Sequence, residues 1–460
     1  MTEARKSVFA RTALTPNGWE NNVLIEIDSV GRIGSVVAGN ETAPNAYAVD
    51  VLLPAQANLH SHTFQRAMAG LSEARSPAGR DSFWTWREIM YRFLDILDPE
   101  DIEAIAAFAF VEMLESGYSS VAEFHYVHHQ PGGQPYANLA ELSERIAAAA
   151  GATGIGLTLL PVAYMQGGVD GRALAGGQLR FGNDFDRYAK LAGQAQEAAK
   201  AVSADAGFGV APHSIRAVNE SDLKALEQHF RGMPFHIHIA EQIPEIEEVQ
   251  AAYGQRSMTW LLDHLPVGER WCLIHSTHMT PEETRRVAQS GAVVGLCPIT
   301  EANLGDGIFD GVNYLAAGGR FGTGSDSNIR ISPSEELRQL EYSQRLRDVS
   351  RVTLSVVGKS CGRTLYDTAL AGGAQALGRD AGGLAPGKWA DMIALDVENP
   401  ALLGLTGDRL LDGWIFAGDR HAVSDVWSAG RHVVHEGRHR DRDAIFAAYK
   451  ARLAPILSKL

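Results

Sequence analysis

The stretch NLHSHTFQRAMAG, residues 58–70, sets His60 and His62 one residue apart, directly after the apolar run VLLPAQANL. Alternate residues of a strand share a face. If LPAQANLH ends as a strand, both imidazoles aim at one point, and converging neutral imidazoles suit a divalent metal. Taken alone, the pair also fits two surface histidines in a turn.

Other short apolar runs end in residues of the same kind. HIHIAEQ supplies His238 and, three residues on, Glu241; LIHSTHM supplies His275; GTGSDSN supplies Asp326. Each has a bland reading. His236 and His275 fit satisfied core histidines, Asp326 a turn cap, and Glu241 a solvated carboxylate at a helix start. The bland account needs several independent coincidences at the same end of the strands, so a metal site is expected. His236 lies deeper along its strand than His238 and reads as core.

The elements that must position these residues are eight strand candidates: QANLH, SSVAEFH, GIGLTLLPVAY, FGVAPHS, PFHIHIA, WCLIHS, AVVGLCP and RFGTGSD. Continuous apolar strands of this kind belong to parallel sheets buried on both faces. Helical patterns separate them. After WCLIHS, Thr280 caps a helix, Pro281 fits its first turn, Glu283 completes a capping box and Gly291 terminates it. Ser332, Pro333 and Glu335 make a similar start after RFGTGSD. Eight such repeats predict an α/β fold, a (β/α)8 TIM-type barrel over residues 56–374, with its site at the C-terminal ends of the strands. Residues 1–55 and 375–460 read as β-rich and are expected to pair into one small β-sandwich domain.

The bulk numbers narrow the function classes. Of 460 residues, 45% are hydrophobic and 21% charged, and the formal net charge is −14. Binders of nucleic acid or anionic membranes are normally basic, so neither partner is expected. Cys272, Cys297 and Cys361 are far apart and odd in number, which fits a reducing cytoplasm. The N-terminal stretch MTEARKSVFARTAL has no signal-peptide core, and no apolar run approaches the ~18 residues of a membrane span. Cys297 reads as inert core, and His125, His128 and His129 as polar residues rather than a second metal site.

The order HxH, HxxE, H and Ser-Asp resembles the amidohydrolase superfamily, most closely its mononuclear deaminase branch; GGLAPGKWADMIALD resembles the segment that returns to the small β domain there. The resemblance implies that His60, His62, His238 and Asp326 hold one metal per chain, zinc above iron, cobalt or nickel. Binuclear members usually bring a lysine from strand 4, where this chain has FGVAPHSIR, so one metal is favoured. A divalent metal acidifies bound water to a pKa of about 7. Asp326 is then placed to accept the water's proton, Glu241 to protonate the substrate nitrogen and the departing amine, and His275 to stabilise developing charge. The reaction class is hydrolysis at a C=N carbon with loss of ammonia.

The loops suggest the substrate. PHSIRAV brings His213 and Arg216 to the mouth, Gln65 and Arg66 follow strand 1, DSFWTWREIMYRF carries Arg87 among aromatics, and EFHYVHH carries Tyr126. Arginine grips carboxylates bidentately, so two from separate loops suit a small dicarboxylate. Together these motifs resemble the family of N-formimino-L-glutamate deiminases of histidine degradation. That resemblance implies that Gln65, Arg87, Tyr126, His213 and Arg216 bind the glutamate portion, and that the protein is a homodimer. The competing readings are a related deaminase of guanine, adenosine derivatives or a triazine, and a non-catalytic barrel.

Overall fold

The computed structural model describes residues 6–40, 43–75 and 83–459. The first five residues of the N-terminal stretch and part of the loop before Arg87 lie outside them.

Eight parallel strand positions follow one another as expected. The first four are Gln56–Ser61, Tyr118–His125, Gly156–Ala163 and the interrupted pair Gly207–Phe208 and Ala211–Pro212. The second four are Phe235–Ile239, Trp271–His275, Val293–Leu296 and Arg320–Thr323. Bridges Val210↔Phe235 and Ser61↔Asp326 join the two sets into a closed barrel. The strands Tyr118–His125, Gly156–Ala163 and Trp271–His275 are buried at every residue, which is why they read as unbroken apolar runs.

The seam between the eighth and first strands is tied in detail. Asp326 N–H donates to the His60 carbonyl and His62 N–H to the Asp326 carbonyl, both at 2.9 Å. Asn58 Nδ2 donates to Ser325 Oγ at 2.6 Å, and Asn58 Oδ1 accepts Ser325 N–H at 3.0 Å. Ser325 Oγ reaches Asn328 Oδ1 at 2.6 Å, and Asn328 Nδ2 reaches Ser61 Oγ at 3.1 Å. Gly324 is needed here for its missing side chain, because a Cβ would stand 2.7 Å from the His60 carbonyl oxygen.

The helix Pro281–Ser290 has the expected Thr280/Glu283 capping box and ends at Gly291 in the left-handed region, and Ser332 caps Pro333–Asp348. Such caps are worth about 1 kcal/mol each. The helix Cys361–Ala376 closes the barrel's first and last strands from outside. It packs so near that a Cβ on Gly372 would meet the Phe321 carbonyl oxygen at 2.0 Å.

The two chain ends form one small β domain. Its strands run in the order Arg438–His439, Arg431–His435, Val423–Ser428, Met392–Leu395, Tyr47–Pro54, Lys6–Thr15, Gly18–Ile27, Ile33–Val37. The leaves expected of a sandwich are thus one hydrogen-bonded path, and its strands contribute to a separate apolar cluster that includes Val8, Val23, Ile25, Met392 and Trp427. Tyr47–Pro54 pairs antiparallel with Met392–Leu395 and hands over through Ala55 to the first barrel strand. The C-terminal segment is less purely β than its sequence suggested. Asp408–Phe416 and Arg442–Leu457 are helices, the second packed on Pro99–Ser116. The run AIFAAYKARLAPIL is rich in helix formers, and that preference prevails there.

Barrel and β domain are joined by a buried ion network. Arg379 bonds Asp205 Oδ2 at 2.8 Å and Asp391 Oδ2 at 2.6 Å, and Arg431 reaches Asp205 Oδ1 at 2.6 Å. Among the described residues, no helix is long and apolar enough to cross a membrane.

Candidate metal centre and active site

Three strand ends converge. His60 Nε2 stands 3.1 Å from His62 Nε2 and 3.1 Å from His238 Nε2. Asp326 Oδ1 lies 3.4 Å from His60 Nε2 and 3.3 Å from His62 Nε2. Ligands 2.0–2.1 Å from a tetrahedral zinc are about 3.3 Å apart, and each of these four contacts is close to that spacing.

The tautomers agree. His62 Nδ1 donates to the Phe124 carbonyl at 2.9 Å and His238 Nδ1 to the His213 carbonyl at 3.1 Å. Each Nε2 therefore presents a lone pair to the centre. Burial lowers His60 to about 3 and holds His62 and His238 below the ordinary imidazole range, so all three stay neutral. Burial opposes ionisation of Asp326, but its bond to His60 and the surrounding imidazoles outweigh that and hold the carboxyl below its usual range. One anion and three neutral imidazoles are the donor set of a divalent metal.

Glu241 and His275 flank this centre. His275 Nε2 is 3.8 Å from Glu241 Oε1 and 3.9 Å from Asp326 Oδ2. Burial raises the Glu241 carboxyl, which favours a group able to hold a proton. Burial lowers His275, but Glu241, Glu301 and Asp326 around it prevail and raise it to about 10. Backbone strain collects here. Ala240, His275, Ser276 and Asp326 have φ of 52°, 69°, 52° and 45°, a region costing non-glycine residues on the order of 1–3 kcal/mol each.

Gln65, Arg87, Tyr126, His213 and Arg216 all line one cavity above the centre, together with Glu241, His275 and Asp326. Gln65 Nε2 donates to Tyr126 Oη at 2.8 Å. The Arg87 and Arg216 guanidiniums lie 4.3 and 5.8 Å from the same Trp84 ring. Arg216 Nε is buried with no hydrogen-bond partner among the described residues.

Some residues stand elsewhere. Arg66, next to Gln65 in the chain, pairs with Glu112 at 2.5 Å, outside the cavity. His236 Nε2 bonds the Ala376 carbonyl at 2.8 Å at the far end of its strand, as core. His128 and His129 bond the Val162 and Gly182 carbonyls, each at 2.9 Å. Cys297 is buried and begins the helix Pro298–Leu304 instead of ending the seventh strand.

Sequence reasoning missed Glu301. Its Oε1 lies 3.3 Å from His275 Nδ1 and accepts Cys297 N–H at 2.9 Å. It also missed the cavity's aromatic walls, Trp86, Tyr91, Tyr164 and Phe181. Asp306 stands behind Glu241, where burial and then the Glu241 charge raise it to about 9.

Residues 51–433 match the amidohydrolase family, and residues 5–46 match the N-terminal domain of formimidoylglutamate deiminase HutF. The chain is 48% identical over 454 residues to a formimidoylglutamate deiminase of Pseudomonas aeruginosa, covering 98% of this chain and 99% of the relative. It is 28% identical over 448 residues to an 8-oxoguanine deaminase of the same species, covering 93% and 94%. The crystal structure of an amidohydrolase from Brucella melitensis superposes with a TM-score of 0.94 at 49% identity, covering 98% of this chain and 100% of that one.

Proposed function

The chain belongs to the amidohydrolase family, and from that premise we propose that it is a formimidoylglutamate deiminase of histidine degradation. The reaction is N-formimino-L-glutamate plus water giving N-formyl-L-glutamate and ammonia. A C–O bond forms at the formimino carbon and its C–N bond to the terminal nitrogen breaks. The observation that carries the reading is the pair Arg87 and Arg216 lining one cavity with Glu241 and the histidine cluster. Two guanidiniums suit two carboxylates, and a neutral ring needs neither.

His60, His62, His238 and Asp326 would hold one divalent metal, which we read as zinc, although the same donors also accept iron, cobalt or nickel. When bound, it supplies a water acidified to near neutrality. Asp326 takes a proton from the attacking water. Glu241 gives a proton to the formimino nitrogen and is recharged with the proton that Asp326 took from the water. It gives that one to the departing amine, which leaves as ammonia. The hydroxyl proton released as the carbonyl forms passes through Asp326 and restores Glu241. His275, directed at Asp326 Oδ2 and Glu241 Oε1, steadies the charge that develops between them. Arg87, Arg216, His213 and the Gln65–Tyr126 pair hold the glutamate portion, while the aromatic walls limit water.

The same reading divides the chain into a hydrolase barrel, 56–374, and a small domain from 1–55 plus 375–460. Three separate buried thiols suit work in the cytoplasm, and the family resemblance supports a homodimer.

The test is ammonia release by metal-loaded protein from N-formimino-L-glutamate, N-formimino-L-aspartate, guanine, 8-oxoguanine and adenosine. Rapid turnover of the first with little from the rings is expected. Turnover of a ring alone would overturn the substrate and reassign both arginines.

A further inference from the structure

A second cluster of ligand-type side chains lies in the small β domain, away from the barrel mouth. Asp425 stands on Val423–Ser428, and His432 and His435 on the neighbouring strand Arg431–His435. One ligand atom from each lies within 4.8 Å of the others. Residues three apart on a regular strand point to opposite faces. Here the pairing shifts, with Trp427 opposite His432 but Val426 opposite Val434. The extra residue of such a bulge restores a common face at a spacing of three. The two imidazoles accordingly meet with ring centres 3.6 Å apart.

The cluster is held in place from several sides. His432 stacks on Trp427 at 4.1 Å and 17°, and its Nε2 bonds Asp425 Oδ1 at 2.9 Å. Tyr47, from the N-terminal half of the domain, donates its hydroxyl to the same Oδ1 at 2.9 Å. Asp425 is buried while His435 is exposed, so an ion has a route in and room to keep water. An ordinary ion pair would need only one imidazole. The second adds a nitrogen donor beside a carboxylate, in a chain whose net charge of −14 favours cations.

We infer that Asp425, His432 and His435 form a second, solvent-open site for a divalent transition metal, with Zn2+, Ni2+ or Cu2+ as the class that two imidazoles and one carboxylate select. It is weaker than the barrel centre, because it offers three donors, of which His432 is half-buried and His435 exposed, where the barrel offers three buried imidazoles and a carboxylate. The protein then takes up two metals per chain while the barrel holds one. Metal at this site pins the C-terminal hairpin to Tyr47 through their shared carboxylate.

The experiment uses the full chain with its barrel site loaded by one equivalent of Zn2+. Ni2+ is titrated in by calorimetry, with total metal counted after gel filtration. A second equivalent is expected in the parent protein. It should weaken at least tenfold in His435→Gln and vanish in the His432→Ala/His435→Ala pair. The barrel zinc and kcat of His435→Gln should be unchanged. With Cu2+ as the added ion, the electron paramagnetic resonance spectrum should show coupling to two nitrogens, falling to one in His435→Gln. No second equivalent in the parent, or equal uptake by His435→Gln, would overturn the site without touching the reading of the barrel.

Discussion

Glu301 Oε1 lies 3.3 Å from His275 Nδ1, while the Nε2 of the same imidazole faces Glu241 and Asp326. Glu301 is itself fixed by the Cys297 N–H at 2.9 Å. It sets the ring's orientation and helps to keep the imidazole protonated. Glu301→Gln should lower kcat by roughly 10- to 100-fold, part of the ~10²–10⁴ that a positioned proton donor contributes. KM and bound metal should stay near normal, and the basic limb of the kcat–pH profile should move to lower pH. An unchanged profile would make Glu301 a structural residue only. Glu241→Gln should lose more turnover and also keep its metal.

Arg216 has a buried Nε without a partner among the described residues and shares the Trp84 face with Arg87. Such a donor lacks a carboxylate. Arg216→Ala should cost about 1.5–3 kcal/mol in kcat/KM, the range for a hydrogen bond to a charged group, or roughly 10- to 150-fold. Arg216→Lys should recover only part of this, since an ammonium cannot reproduce a planar two-point grip. Steady-state kinetics with metal counted in parallel checks both, and parent-like kinetics in the alanine variant would remove Arg216 from the clamp.

Asn58 bonds Ser325 twice across the barrel seam, beside His60 and Asp326. Loss of such outer contacts typically costs 10- to 100-fold in metal affinity or activity. Asn58→Ala should therefore release metal to a chelator about 10- to 100-fold more readily. Competition with a chromophoric chelator measures this directly, and parent-like retention would show that the seam holds without the pair.

The barrel and most of the centre were legible because each ligand closes an apolar run, and strand periodicity fixes where such a residue points. Glu301 was not. It sits four residues beyond the strand-to-helix junction at Cys297, and CPITEANL looks like any capped surface helix until the chain folds it under His275. Arg66, which was not among the expected binders, stays outside the cavity for a simple reason. Gln65 and Arg66 are consecutive on the short helix Thr63–Met68, so with Gln65 turned inward, Arg66 turns away. The small domain's strands join into one path through long-range pairing, Tyr47–Pro54 with Met392–Leu395, which a strand pattern does not encode.

Asp205 gives a pH signature of stability. Burial opposes its ionisation, but Arg431 and Arg379 prevail and hold its folded pKa below the unfolded value of about 3.9. A carboxyl shifted this way stabilises the fold above the unfolded pKa and loses that contribution as pH falls through the folded one. Asp205→Asn leaves two arginines short of a buried partner and should cost about 3–5 kcal/mol at pH 7. The gap to the parent should narrow below about pH 4. Urea unfolding at a series of pH values reads both, and a gap independent of pH would show that the charge of Asp205 contributes nothing.

The most direct measurement titrates metal-free protein with Zn2+ and follows N-formyl-L-glutamate and ammonia formed from N-formimino-L-glutamate. One centre built from His60, His62, His238 and Asp326 predicts equimolar products and activity that rises linearly to a break at one equivalent per chain, with no further gain from metal bound elsewhere. A break at two equivalents, or full activity without added metal, would contradict it.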